Sequence, residues 1–317
     1  MWLFLLACAD PGSLVGIDDS ARATDGILDR RMVPTEAPPT GFVLQTPEFT
    51  VEPHSEVMLC YFGTYRGPDV GAVYYEWWQD PVFGHHFMTL AVPADSTIPD
   101  GTFVDCEDPA VVAMQIPPLL QGTELVDTGH GRMHLPDGVA IALNDGQRWA
   151  LQTHYVNSTD DTLLVQDAVL IDTIPAAEIV ETASTYVANS SQFVLPEGRQ
   201  QLDVRCEWSV PMNFLNMIGH MHTNGERIQI YHEHPAGRDL LYEIPEWDPS
   251  LIYGPKVHGF EEPLAVAQGD VIEVLCQYDN VMGRDLSFPD EMCVAAGIAW
   301  PMDQPYQCDV PVVATTW

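Results

Sequence analysis

The chain has 317 residues, 46% of them hydrophobic, with 46 acidic and 12 basic side chains and a formal net charge of -34. That length suits about two ordinary domains with a sizeable core. So acidic a balance, with Lys256 the single lysine, argues against nucleic acid and against an anionic membrane surface as partners. It does not imply disorder, because charged residues make up only 18% of the chain and aromatic and β-branched residues run throughout it.

The chain opens Met-Trp-Leu-Phe-Leu-Leu-Ala-Cys8: a short apolar run, a small residue, then cysteine. Residues 1–8 resemble the end of a bacterial lipoprotein signal, with Cys8 as the lipidated residue, although no positively charged stretch precedes the run. The expected location is the bacterial cell envelope (an outer-membrane lipoprotein, periplasmic or at the cell surface) or outside the cell. Membrane contact is expected only through a lipid anchor at Cys8. No other segment approaches the ~20 apolar residues of a membrane span. Residues 9–40 are rich in Asp, Pro, Gly and Thr and read as a flexible tether.

From about Gly41 the pattern becomes short alternating segments rich in β-branched and aromatic residues. They include Phe42–Thr46, Val57–Tyr61, Ala72–Trp77, Phe87–Val92 and Trp149–Val156, then Gln201–Cys206, Arg227–Tyr231 and Asp270–Cys276. Such segments predict strands. Pro-Asp-Gly at 99–101 and 136–138, Asn-Asp-Gly at 144–146 and Gln-Gly-Asp at 268–270 predict the turns between them. No amphipathic helix of about ten or more residues is predicted. The expected class is all-β, as two tandem antiparallel β-sandwich domains over 41–174 and 175–317. They divide near Asp172-Thr-Ile-Pro-Ala-Ala.

Six cysteines follow Cys8, namely Cys60, Cys106, Cys206, Cys276, Cys293 and Cys308, and none forms Cys-x-x-Cys. Zinc-ribbon and thioredoxin readings therefore lack support. An even, well-separated set predicts three disulfides and an oxidising compartment.

Eleven histidines against one lysine is an unusual ratio. His85 and His86 follow Phe-Gly and open a predicted strand, and His154 lies within Leu-Gln-Thr-His-Tyr. His220-Met-His222 is read as opening the strand through Arg227–Tyr231, and Met292 sits in Asp-Glu-Met-Cys. Residues i and i+2 share a strand face, so His220 and His222 can chelate one metal. His85 and His86 would point to opposite faces unless the backbone bends, which Gly84 eases. Imidazoles with a thioether suit copper better than zinc. His232-Glu-His234, beside Pro235 and Gly237, reads as a strand end, and His54, His130, His134 and His258 read as surface or loop residues.

The ordered set resembles the copper type II, ascorbate-dependent monooxygenases, the peptidylglycine α-hydroxylating and dopamine β-hydroxylating enzymes and their relatives. The matching residues are Gly84-His85-His86-Phe-Met, Leu-Gln152-Thr-His154-Tyr155 and Gly219-His220-Met-His222-Thr-Asn-Gly225. Gly269-Asp270, Cys276-Gln-Tyr278-Asp279-Asn280 and Asp290-Glu291-Met292-Cys293 follow in the family's order. The resemblance runs from about Gly41 to the C terminus.

The resemblance implies two jelly-roll-like β-sandwich domains, each holding one copper ion. His85, His86 and His154 would form an electron-storing site, and His220, His222 and Met292 the site of oxygen chemistry. The implied disulfides are Cys60–Cys106, Cys206–Cys308 and Cys276–Cys293. The implied activity is hydroxylation of a C–H bond of a small organic substrate with O2 and two externally supplied electrons. The reductant would be ascorbate or an unknown equivalent. The alternative is a non-catalytic copper-binding protein of the cell surface. Peptide-hydroxylating members hold a substrate carboxylate with an arginine, an asparagine and a tyrosine where this chain has Ile218, Val294 and Ala296. An apolar pocket there loses the charge-assisted bonds, so the expected substrate is apolar or neutral.

Overall fold

Period-two alternation becomes strand over most of the described residues, and the predicted all-β class is what the structure shows. The computed structural model describes residues 26–32, 37–112, 118–120, 130–252 and 254–317. Among these, helix is confined to the single turn Pro109–Val112 and the 3-10 turns Ala176–Glu178 and Pro249–Ile252.

In the N-terminal half, one sheet runs in the order Phe103–Asp105, Ser55–Thr64, Arg148–Asn157, Gly84–Val92 and Pro118–Leu120. A second runs Glu181–Thr182, Val139–Leu143, Val70–Trp78, Ala168–Pro175 and Gly41–Gln45, and His130–His134 also pairs with Val70–Trp78. Trp149, Leu151 and Phe87 of the first sheet meet Leu44, Tyr75, Val139 and Ile171 of the second in one apolar cluster. In the C-terminal half, Val257–Val266, Met212–His220, Val294–Trp300, Ser184–Asn189 and Tyr306–Asp309 form one sheet. Gly237–Ile244, Gly225–His234, Val271–Asn280, Gly198–Glu207 and Thr315–Thr316 form the other. Phe214, Tyr186 and Ala295 pack there on Leu202, Val204, Ile228 and Val274. Each half thus stacks two sheets with their alternating apolar faces inward, which is how an antiparallel sheet buries one side.

Three details differ from the sequence reading. Residues 27–29 are not tether: Ile27–Asp29 pairs in parallel with Thr162–Val165. Leu28 packs on a cluster of Val51, Tyr155, Leu163 and Val165, and that burial draws the segment onto the fold. The ladders are also not wholly antiparallel, since Glu181–Thr182 and Tyr306–Asp309 join their neighbours in parallel. Finally, strand pairing passes from one half to the other at about Ala183, because Glu181–Thr182 still pairs with Val139–Ala140 whereas Ser184 pairs with Ala299.

The halves share apolar contact, with Ile298 and Trp300 belonging to the same cluster as Tyr75 and Trp77. Disulfides join Cys60 to Cys106, Cys206 to Cys308 and Cys276 to Cys293, the pairings that the resemblance implies. They fit an oxidising compartment. Among the described residues no helix is long and apolar enough to cross a membrane. Cys8 and the rest of the predicted signal lie outside the described residues.

Candidate metal centre

Adjacent residues of a strand point to opposite faces, so His85 and His86 can share a ligand only if the ladder breaks. It does. Along Arg148–Asn157, His154 faces His86 but the next residue, Tyr155, faces Gly84. His85 is the extra residue of a β-bulge, the device that re-aims a side chain at a sheet edge. His85, His86 and His154 consequently bring one ring nitrogen each within 4.8 Å of one another. Among the described residues they are the one such group of His, Cys, Asp and Glu.

The hydrogen bonds assign the ring nitrogens. His154 Nε2 lies 2.8 Å from Glu56 Oε1, and His86 Nε2 lies 3.0 Å from Gln152 Oε1. With both Nε2–H groups donating to oxygen, the Nδ1 lone pairs turn toward each other across 3.2 Å. Two lone pairs at that distance repel unless a cation lies between them. Two metal–imidazole bonds of about 2.0–2.1 Å at a tetrahedral angle place their nitrogens about 3.3 Å apart. The His86–His154 pair therefore fits a metal ion, and a His85 ring nitrogen lies within 4.8 Å of both. Burial, then the neighbouring His154, pushes the His86 imidazole down to about 3, and burial lowers His85 as well. Both rings are thus neutral, the form that binds metal. Beside His154 lies a cavity of about 460 Å³ edged by Glu56, Met58, Asp105 and Glu107.

The second predicted set is placed differently from the sequence reading. His220 ends the strand Met212–His220 instead of opening one, and His222 lies beyond it in the turn before Gly225. Thr223-Asn224-Gly225 ends the extended run there, as turn residues do. The two rings still meet, with centroids 5.0 Å apart and planes at 89°. Burial, then His222, pushes His220 down to about 3, and burial also lowers His222. Residues flanking Met292 bind this turn. His222 N and Asn224 N donate to the two carboxylate oxygens of buried Glu291 at 3.2 and 3.0 Å. His222 Nδ1 lies 3.3 Å from the Asp290 carbonyl. Tyr278 donates to the Met292 carbonyl at 2.6 Å, and Cys293 is tied to Cys276. Met292 therefore sits in a segment fixed on both sides.

Ile218 and His220 share a face of their strand. Ile218 is flanked by Ala296 and Val257, and His220 by Val294. Val257 also borders a cavity of about 310 Å³ between the halves, walled by Trp77, Met133, Leu215, Asn216 and Phe260. Arg132 and His134 also line it, and Val257, paired with Ile218, connects it to the strand that carries His220.

Of the other histidines, His54, His130, His232 and His234 face carboxylates. His232 and His234 each face a carboxylate, Asp270 at 2.8 Å and Asp239 at 2.9 Å. His234 Nδ1 accepts from the Ala236 amide, so that His-x-His pair is structural. His54 and His258 are exposed, as expected. His130 and His134 lie on a paired strand, where His134 is exposed as expected of a surface residue. His130 is half-buried between Glu76 and Trp78.

Several supporting residues escape sequence reasoning, namely Glu56, Gln79 and Asp167, while Glu291 enters it only as part of a matching segment. Asp167 had a visible signal, an acid set inside the apolar run Leu163–Ile171. It is fully buried and accepts from Thr153 Oγ1 and Tyr155 Oη, the residues on either side of His154. Burial pushes its carboxyl up to about 7, against the pull of those donors and Gln79. Between the ordinary 3.8 and about 7 the folded chain keeps a proton that the unfolded chain releases. This contribution to stability is full below about pH 4 and is lost as pH rises through 7, by on the order of 4 kcal/mol. Asp167→Asn should be less stable at pH 5 but should lack this decline, as read from urea midpoints between pH 5 and 8.

No protein-family model and no curated protein matches the chain. Among solved structures it is similar to the PBSX exported protein XepA, at 7% identity over 84% of this chain and 89% of that one, with a TM-score of 0.22. The VP2 subviral particle of infectious bursal disease virus gives 9% identity, 85% and 74% coverage and 0.21. PBCV-1 VP54, fitted into a reconstruction of the virophage Sputnik, gives 7%, 84% and 95% coverage and 0.24. Overlaps this loose carry no argument about fold or function.

Proposed function

We propose that the protein is a copper-dependent monooxygenase that hydroxylates a C–H bond of a small neutral or apolar substrate. In the overall reaction the substrate R–H, O2, two electrons and two protons give R–OH and water. The observation that supports this reading is the bulge that gathers His85, His86 and His154, together with a separate His220–His222 pair tied to the Met292 segment. Copper held at two such sites supplies one electron from each and handles the oxygen chemistry. The three imidazoles of the N-terminal half would hold the storing ion. His220, His222 and Met292 would hold the other, whose soft thioether favours Cu(I).

The chain's own contribution is position and exclusion of water. The cavity between the halves is walled by Trp77, Met133, Leu215, Val257 and Phe260, with Arg132, His134 and Asn216 beside them. Ile218 and Ala296 beside it are buried and apolar. Ile218, Val294 and Ala296 offer a carboxylate no charged partner, and the cavity's apolar walls admit an apolar body although Arg132 and His134 also line it. The two halves read best as tandem jelly-roll-like domains with one copper site each. The disulfides and the Cys8 context suit a secreted or envelope protein. Ascorbate or another electron donor would reduce it.

The test is copper stoichiometry of the reconstituted protein beside Met292→Ala, followed by oxygen uptake with reductant over a panel of neutral substrates. Two copper ions falling to about one in the variant, with substrate-dependent uptake, is the expected result. Two ions without uptake would favour a non-catalytic copper-binding protein. No copper above background would overturn both readings.

A further inference from the structure

We propose that Gln79 is the positioning residue of the three-histidine site. Its buried amide would hold open the bulge that turns His85 and His86 toward one ion. The proposal rests on reading those histidines as a metal site.

A bulge disrupts the ladder and leaves backbone groups to be satisfied. Gln79, with no exposed surface, meets that need. Its Nε2 donates to the His86 carbonyl at 3.0 Å and reaches the His154 carbonyl at 3.4 Å and Thr153 Oγ1 at 3.3 Å. One amide thus bridges the main chains of two candidate ligands on neighbouring strands. Its orientation is determined: Oε1 is buried with no hydrogen-bond partner. Turning the amide over would aim that oxygen at two carbonyls and lose both bonds. A buried acceptor left unpaired calls for an explanation, and the hold on His86 and His154 supplies one.

The surroundings fix Gln79 in turn. A Cβ on Gly84 would come within 2.4 Å of Gln79 Cγ and 2.5 Å of the Asp80 carbonyl, so the side chain passes beneath a residue that must be glycine. Gly84 N donates to the Asp80 carbonyl at 3.0 Å. Asp80 Oδ1 accepts from the amides of Val82 and Phe83, and Oδ2 from Arg30 Nε. The loop from Gln79 to Gly84 is therefore closed on itself and anchored to the N-terminal strand. None of these groups reaches a candidate metal nitrogen, so Gln79 would act only through the placement of His85, His86 and His154.

The experiment is done on the full chain carrying His222→Ala, so that copper binds at the three-histidine site alone. Gln79→Met, which keeps the volume and removes the amide, is compared with that parent by chelator-competition titration with Cu(II) and by EPR. Copper affinity is expected to fall about 10–100-fold, the usual cost of losing a group that orients metal ligands, with an altered Cu(II) hyperfine pattern. In a His154→Ala background the same change should leave affinity at the second site unaltered. Unchanged affinity and EPR, even with a lower metal-free urea midpoint, would mean that Gln79 only stabilises the fold and would overturn the proposal. Should Gln79→Met not fold, Gln79→Asn decides on the same readouts, since it retains the amide but withdraws it from both carbonyls. A parent that binds no copper would instead overturn the reading of the histidines as a metal site.

Discussion

His154→Ala should reduce the copper held by the protein from two equivalents to about one. Its affinity for the first site should fall by more than the 10–100-fold that follows loss of a supporting hydrogen bond. His154 is the residue on which the other two converge, opposite His86 across the ladder and adjacent to the bulge that frees His85. Its Nδ1 faces His86 Nδ1 at 3.2 Å, so truncation removes one of the two nitrogens that define the ion's place. Two imidazoles then remain on one strand, without the neighbour that made the set three-sided. Glu56→Gln is the instructive comparison. It keeps an acceptor for His154 Nε2 but removes the charge, and it should weaken copper binding far less than loss of the ring. Both are read by chelator competition, with near-ultraviolet circular dichroism to show that packing persists. Retention of two tight equivalents by His154→Ala would mean that these histidines do not form the site.

The largest effect on stability is expected from the double change Cys206→Ala, Cys308→Ala. This disulfide spans 102 residues, against 17 for Cys276–Cys293. In the chain-entropy account, closing a loop of about 100 residues stabilises by about 4.7 kcal/mol and one of about 15 by about 3 kcal/mol. The first is a large share of the 5–15 kcal/mol that ordinarily separates folded from unfolded domains. Cys206 is fully buried in the core of the C-terminal half, and Cys308 lies on Tyr306–Asp309, an edge strand that pairs in parallel with Ser184–Asn189. Without the bond that edge depends on few ladder contacts. Urea unfolding should show a loss of about 4–5 kcal/mol for Cys206/Cys308 and a smaller loss for Cys276/Cys293. The smaller loop should instead show its effect at Met292, whose neighbour Cys293 it anchors. Equal or reversed stability losses would mean that native packing around the bonds outweighs loop length.

Much of this molecule is legible in one sequence because its physics is local. Alternation predicts strands over Trp149–Val156 and Asp270–Cys276, and both form, although the first is buried on both faces. Gly146 and Gly269 adopt positive φ at predicted turns, where other residues would be strained. Even the suspicion that His85 and His86 need a backbone break is local, since adjacent strand residues diverge. The sequence expectation sets the strand after His220, whereas it lies before it, for an equally local reason. His-x-His carries no sign of which side of it the ladder lies on, and only the pairing with Val294 decides that.

The remaining features depend on partners far apart in the chain. Ile27–Asp29 has the composition of a tether and becomes a strand only because Thr162–Val165 offers an edge and an apolar cluster to Leu28. Gln79, Glu56 and Asp167 are ordinary polar residues in the sequence. They acquire roles because the fold buries Gln79 beneath Gly84, sets Glu56 beside His154 and seals Asp167 behind Thr153 and Tyr155. Composition and spacing alone determined the all-β class, with only short helical turns among the described residues, and which histidines to watch. Tertiary structure decided the bulge that turns neighbouring histidines to one point and the cavity shared by both halves. It also decided which buried polar groups hold the candidate ligands. Hydrogen bonds and burial between distant residues leave no periodic trace in the chain, and they exist only once the sheets have stacked.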